Sequence, residues 1–348
     1  MNCYVCDNEI TSDNSTDEHI IINAAGGRLK SKKLICHECH HSKYWEKIDT
    51  FLAKQLNALS NMLMVKRHRG KPQPIIGHKK STGEKYLLKV GGKPVLNEPN
   101  VEKTVDEDRT NISITARSEK ELRQILKGIA KKNPQFDVEE AMKSAKWREE
   151  YFDEALHFQN EIGGTEVFRA VCKCATNFFV YKNGDSSQIK PLIPYIKGKV
   201  QKEVVGMHYQ ENVYELAPDE SFHLIHLVGK PDDKTLYCYV DYFNTYKYLI
   251  LLSDNYTGKE MKETYCFDLI NIEEKVKEIS LDYDRDTLLN FFKNKDAKPF
   301  EKVKKSFNHS IALGLKRQDD FQRGELLERA IQNSLGRYPE GTKITKKM

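Results

Sequence analysis

The 348-residue chain has no apolar run long enough to cross a bilayer. Its longest uninterrupted stretch, about Tyr248 to Leu252, falls far short of the roughly 20 residues a spanning helix needs. No secretory leader is visible ahead of the first motif, so a soluble cytoplasmic protein is the expectation. Internal repeats and low-complexity tracts are absent, which argues against a repeat array. Nor is the charge strongly of one sign: 56 basic side chains stand against 51 acidic ones, net +5, so bulk charge alone indicates no polyanionic partner. The eight cysteines do not form a disulfide framework. Four lie within the first 39 residues as two Cys-x-x-Cys pairs, and Cys172, Cys174, Cys238 and Cys266 sit in apolar patterns. In a cytosolic chain, paired spacing of this kind points to a metal rather than to disulfides.

What is present suits a soluble globular protein of two or three domains, with 39% hydrophobic and 31% charged residues. From Tyr44, the apolar residues Trp45, Ile48, Phe51, Leu52, Leu56, Leu59, Met62 and Leu63 predict an amphipathic helix, ended by Arg69-Gly70-Lys71-Pro72. Short strands and turns are expected over 73–116, including Tyr86-Leu87-Leu88 and Ile112 to Ala116. Ser118 with Glu121 forms a capping box for a helix that Asn133-Pro134 ends. A mostly polar helix is expected from Ala141 to Phe158, then a buried one carrying Val167, Phe168, Val171, Cys174, Ala175, Phe178 and Phe179. Four strands, Phe222–Val228, Thr235–Phe243, Tyr246–Leu252 and Thr264–Leu269, read as an antiparallel meander rich in tyrosine, and residues 286–336 return to helix. Between Lys66 and Lys93 nine basic residues face one acid, Glu84, a segment able to follow a phosphate backbone.

The chemistry concentrates at the N-terminus. Cys3-x-x-Cys6 and Cys36-x-x-Cys39 supply four thiolates for one tetrahedral ion, expected to be a structural zinc; rubredoxin-like iron would use the same ligands. Metal binding explains how about 40 loop-rich residues can be ordered without a core of their own. Between the pairs lies Asp17-Glu18-His19-Ile20-Ile21, then Gly26-Gly27, and His40 directly follows Cys39. In a regular strand Glu18 and His19 point to opposite faces, so a kink is required for both to serve one site.

The stretch Cys3 to His40 resembles the HNH nuclease family, the ββα-metal fold, in its Cys-x-x-Cys, Glu-His-Ile-Ile, Gly-Gly, Leu-Ile-Cys-x-x-Cys form. The resemblance implies that His19 is the general base activating water, and that Glu18 and His40 hold a catalytic divalent ion, Mg²⁺ or Mn²⁺. It implies DNA as partner, in preference to RNA, and hydrolysis of its phosphodiester bonds, in host defence or a mobile element. Two departures stand out. Ile22 occupies a position where the family often has Pro, and the middle Asn has no clear match, its place falling near Ser31 with Asn23 a looser candidate.

Arg28, Lys30, Lys32, Lys33, Lys66, Arg67 and Arg69 are the expected backbone contacts. The expected class is α+β: a zinc-stapled ββα-metal (HNH) module with its extended helix (1–65) and a basic strand-rich linker (66–117) precede a mixed helical and antiparallel-sheet accessory domain (118–336) and a polar tail (337–348). No membrane contact is expected; the C-terminal domain is left open to self-association or a protein partner. The alternative is a non-catalytic zinc-binding regulator that binds nucleic acid, in which Glu18 and His19 are only structural.

Overall fold

The computed structural model describes residues 1–91, 94–106, 109–146, 152–294 and 299–336. Lys93 of the basic segment, residues 147–151 of the expected polar helix and the tail 337–348 lie outside the described residues. The chain divides into two compact units, Met1–Pro72 with Glu161–Met348, and Gln73–Asn160.

The first unit begins with a short antiparallel pair, β1 (Glu18–His19) and β2 (Lys30–Ser31), in the register Glu18↔Ser31 and His19↔Lys30. The chain between them tightens into one 3-10 turn at Asn23–Ala25. Both motif glycines are needed here. Gly26 has φ +91°, and a Cβ on Gly27 would lie 1.9 Å from the Ile21 carbonyl oxygen. A single helical turn, α1 (His37–His40), is followed by α2 (Lys43–Met62), which buries Trp45, Ile48, Leu52, Leu56 and Leu59 along one face, as the periodicity predicts.

The second unit holds β3 (Ile75–Lys79), β4 (Lys85–Leu88), β5 (Pro94–Leu96), the hairpin β6 (Asn100–Asp106) and β7 (Arg109–Thr115), α3 (Glu119–Lys132), α4 (Val138–Lys143) and β8 (Leu156–His157). Ser118 caps α3 by accepting from the Glu121 amide, while Glu121 accepts from the amide of Arg117, one residue earlier than a standard capping box. The polar helix expected through Phe158 stops at Lys143. Leu156 and His157 instead extend a sheet of order β5-β4-β3-β8 by pairing with Lys79 and His78, because β3 offers them an open edge.

The first unit resumes with α5 (Thr165–Tyr181), which is buried at almost every position from Val167 to Val180. A short turn of helix, α6 (Ile193–Ile196), leads to the sheet: β9 (Val205–Met207), β10 (Phe222–Lys230), β11 (Thr235–Tyr242), β12 (Tyr246–Ser253), β13 (Met261–Asp268) and β14 (Glu273–Glu274). The order is β14-β13-β10-β11-β12-β9, all antiparallel. The expected meander therefore holds for three strands only. β9 takes the outer edge of β12, so β13 pairs with β10 instead. Tyr237, Tyr239, Tyr242, Phe243, Tyr246 and Tyr248 are all fully buried, so this aromatic row is sheet core and offers no stacking platform for bases. The unit ends in α7 (Arg285–Lys293) and α8 (Pro299–Leu335). No helix among the described residues is long and apolar enough to cross a membrane.

Among the described residues this unit has three hydrophobic clusters, and the largest joins its N-terminal and C-terminal segments. Tyr4, Ile20, Ile21, Leu34, Ile35 and Trp45 share it with Val171, Phe178, Tyr242 and Ile250, each large side chain contributing roughly 1.5–3 kcal/mol by leaving water. A polar tie adds to it: His223 of β10 is fully buried and donates from Nε2 to the Ala25 carbonyl at 2.8 Å. Burial holds the His223 pKa down at about 4, against an ordinary value of 6.5, only weakly opposed by that bond. Below 6.5 the unfolded chain binds the proton first, so stability is lost as pH falls from 6.5 through 4, by at most roughly 3 kcal/mol from this residue. The urea midpoint should accordingly fall between pH 7 and pH 5. His223→Gln, which keeps a donor but cannot ionise, should show a smaller fall; an identical pH dependence would refute the assignment.

Candidate metal and nuclease site

The four cysteines converge. The Sγ atoms of Cys3, Cys6, Cys36 and Cys39 lie within 4.8 Å of one another, with Cys6 and Cys36 at 3.7 Å. A tetrahedron with zinc–sulfur bonds of 2.3 Å has edges of about 3.8 Å, so the cluster fits zinc. The first pair is set by a tight knuckle in which the Asp7 amide donates to the Cys3 carbonyl and the Cys3 amide to that of Asn8. The second is set by α1, for which Cys36 is the N-cap residue. Burial, then the neighbouring Cys3 thiolate, pushes the Cys39 thiol up, a penalty that a bound dication removes. Among the described residues this is the only group of three or more His, Cys, Asp or Glu side chains spaced for a metal.

Beside it, Glu18, His19, Ile22, Asn23, His40, Asp49, Thr50 and Ala53 line a cavity of about 310 Å³. Glu18 and His19 both line this cavity although they are adjacent in β1; the strand is only two residues long, and the chain bends directly after it at Ile20 and Ile21. The His19 ring is half-buried and, among the described residues, has no hydrogen-bond partner. His40 Nδ1 lies 2.8 Å from Glu18 Oε2, yet this buried nitrogen is not aligned for a hydrogen bond. Adjacent ligand atoms on an ion with bonds of 2.0–2.1 Å are about 2.9 Å apart, so these two atoms fit a divalent cation such as Mg²⁺.

Glu18 is only 2% exposed, and its other oxygen is held by the protein. Oε1 accepts from Asn177 Nδ2 at 2.9 Å and Trp45 Nε1 at 3.4 Å, and forms an ion pair with Lys173 Nζ at 2.9 Å. Burial alone would raise the carboxyl pKa; the Lys173 charge and the contacts with His40, Lys173 and Asn177 outweigh it and hold the group well below the usual carboxylate range. Lys173 Nζ also reaches Asp49 Oδ2 at 2.7 Å and lies 5.1 Å from the centre of the Trp45 ring. Asn177 donates a second time, to the His19 carbonyl at 3.1 Å, and accepts from Tyr4 Oη at 2.5 Å. Sequence reading missed Lys173, Asn177 and Asp49. The available signal was the series Arg169, Lys173, Asn177, polar residues at four-residue spacing inside an otherwise apolar helix.

The basic residues differ in exposure. Lys32, Lys33, Lys66 and Arg69 are exposed; Lys30 pairs with Asp17 at 2.7 Å. Arg28 donates to the Lys66 carbonyl at 3.0 Å and Arg67 to that of Lys71 at 3.1 Å, so both guanidinium groups tie loops together. Of the two positions considered for the middle Asn, Ser31 faces Glu18 across the hairpin and its hydroxyl accepts from the Lys33 amide. Asn23 lines the cavity and accepts from the His68 amide at 3.0 Å.

Residues 3–57 match a family model described as HNH endonuclease, and the four clustered cysteines fit a zinc-binding HNH module. No curated protein and no solved structure matches the chain. The family match ends within α2, so Lys173 and Asn177 lie outside it.

Elemental analysis is expected to find one zinc per chain, and Cys36→Ser to lose it. Because Ile35 and Trp45 share a core with α5, the loss should speed amide hydrogen exchange in α5 as well as in the hairpin. Unchanged exchange in α5 would show that the two pack independently.

Proposed function

We propose that the chain is a metal-dependent endonuclease that hydrolyses DNA phosphodiester bonds. In this reading zinc occupies the four-cysteine cluster, and Glu18 and His40 hold Mg²⁺ or Mn²⁺. The observation that carries it is the convergence in one cavity of the His19 imidazole, which has no hydrogen-bond partner among the described residues, with the Glu18 Oε2 and His40 Nδ1 pair. When bound, the divalent ion would offset charge on the scissile phosphate and the leaving oxygen.

The chain's own residues supply the rest. His19, neutral near pH 7, takes the proton of the attacking water as P–O bond formation begins. Asn177, bonded to the His19 carbonyl, holds the backbone that carries this ring. Glu18 stays ionised because Lys173 and Asn177 stabilise its charge inside the core. Lys32, Lys33, Lys66 and Arg69 are free to meet phosphates, and Lys30 can exchange Asp17 for one; contacts of this kind position a duplex without reading its sequence. Arg28 joins this surface through the terminal guanidinium nitrogen that its loop bond leaves open, whereas Arg67 commits both terminal nitrogens to Lys71 and Asn57 and serves to brace the loop.

Purified protein with Mg²⁺ or Mn²⁺ should nick or linearise plasmid DNA, and His19→Ala should lower the rate by about 10²–10⁴-fold. Equal cleavage by both proteins, or none with any divalent ion, would overturn the proposal. DNA binding without cleavage would favour a zinc-binding regulator, and preference for structured RNA in competition would move the substrate class.

The pH profile gives a second test. Burial is the largest influence on His19 and lowers its pKa below 6.5, partly opposed by the Glu18 charge. The neutral ring is the competent base, so kcat/KM should rise with pH through a midpoint below 6.5 and then level off. A midpoint above 6.5 would be inconsistent with a desolvated His19 acting as the base.

A further inference from the structure

The two oxygens of Glu18 have different surroundings. Oε1 accepts from Asn177 of α5 and Trp45 of α2 and is ion-paired with Lys173; Oε2 lies 2.8 Å from His40 Nδ1, out of hydrogen-bond alignment. Two hydrogen bonds and an ammonium at 2.9 Å leave Oε1 little capacity to bind anything else. Asp49, the other acid of the cavity wall, is engaged by the same ammonium through Oδ2 at 2.7 Å. Lys173 therefore stands between the two carboxylates nearest the pair of atoms that fits a cation.

We propose that Lys173 and Asn177 are positioning residues that set the ligand denticity of Glu18. By occupying Oε1 they leave Oε2 as its single donor, and by engaging Asp49 Lys173 keeps a second carboxylate out of the ligand set. This rests on the metal-dependent reading above and adds to it a basis for choosing among ions. Mg²⁺ and Mn²⁺ suit a site with few protein donors that leaves water on the ion, whereas Ca²⁺ takes 6–8 oxygens and favours bidentate carboxylates. A Glu18 restricted to one oxygen disfavours Ca²⁺. Lys173 and Asn177 are one helical turn apart on α5, so a single rotation of that helix aims both donors at the same oxygen.

The test is binding rather than turnover. Zinc-loaded, full-length protein is titrated with Mn²⁺ by electron paramagnetic resonance, and Ca²⁺ is then used to displace it. Wild type should bind Mn²⁺ and resist Ca²⁺. Lys173→Met, which frees Oε1 and releases Asp49, should shift the Ca²⁺-to-Mn²⁺ affinity ratio toward Ca²⁺ on the order of tenfold. Asn177→Ala, which keeps the buried ion pair, should shift it in the same direction by less, and covers the case in which Lys173→Met does not fold. A ratio unchanged in a variant that retains zinc and its circular dichroism spectrum would overturn the proposal. Wild type that binds no Mn²⁺ would overturn the metal-dependent reading itself, and this proposal with it.

Discussion

A carboxylate charge at the boundary between a hydrophobic core and a cavity governs the arrangement of the first unit. Stripping an ion of water costs several kcal/mol, and removing one partner of a buried pair typically costs about 3–5 kcal/mol. Glu18 escapes that penalty only because α5 brings Lys173 and Asn177 to it, and Lys173 in turn needs Asp49 and the Trp45 ring. These contacts limit how α5 can rotate or slide against α2, which carries Asp49 and Trp45. The helix pair is thus locked by ionic geometry as well as by apolar packing. The same geometry decides which oxygen of Glu18 is left for the cavity.

Zinc and core act on neighbouring parts of this arrangement. The cysteine cluster fixes α1, and because His40 directly follows Cys39 it fixes the backbone from which the imidazole reaches Glu18. The core holds the hairpin from the opposite side through Ile20 and Ile21, and His223 ties its loop to β10. The segment matched by the HNH family is therefore continuous with the sheet in packing.

Local features were legible in the sequence. Helix α2 follows from apolar spacing, the start of α3 from Ser118 and Glu121, the strands β10 to β13 from their β-branched and aromatic runs, and the metal cluster from paired cysteines. The adjacency of Glu18 and His19, and of Cys39 and His40, located the cavity wall because these pairs are neighbours in the chain. What could not be read was set by tertiary contact. Asn177 meets Glu18 from 159 residues away, and a lysine within an apolar helix does not announce its partner. The partner of β13 depends on β9 having taken the edge of β12, which no local pattern encodes. The helix expected through Phe158 was wrong beyond Lys143: apolar residues are too sparse there to fix a period, and β3 recruited Leu156 and His157 as a strand.

Residues 73–160 form the second unit, so the first is interrupted in sequence between α2 and α5. That has a consequence for the order of synthesis. At about 5–20 residues per second, a ribosome that has made Glu18 needs on the order of ten seconds or more to reach the end of the Lys173–Asn177 turn. From His40 until Lys173 is made, which is most of that interval, the nascent chain has its four cysteines, its acid and both histidines, but not the ammonium against which the acid is held. A product that stops short of α5 keeps the whole cysteine motif and lacks the internal cation. Assembly of the site is thereby deferred until about half of the polypeptide exists, a delay imposed by topology alone.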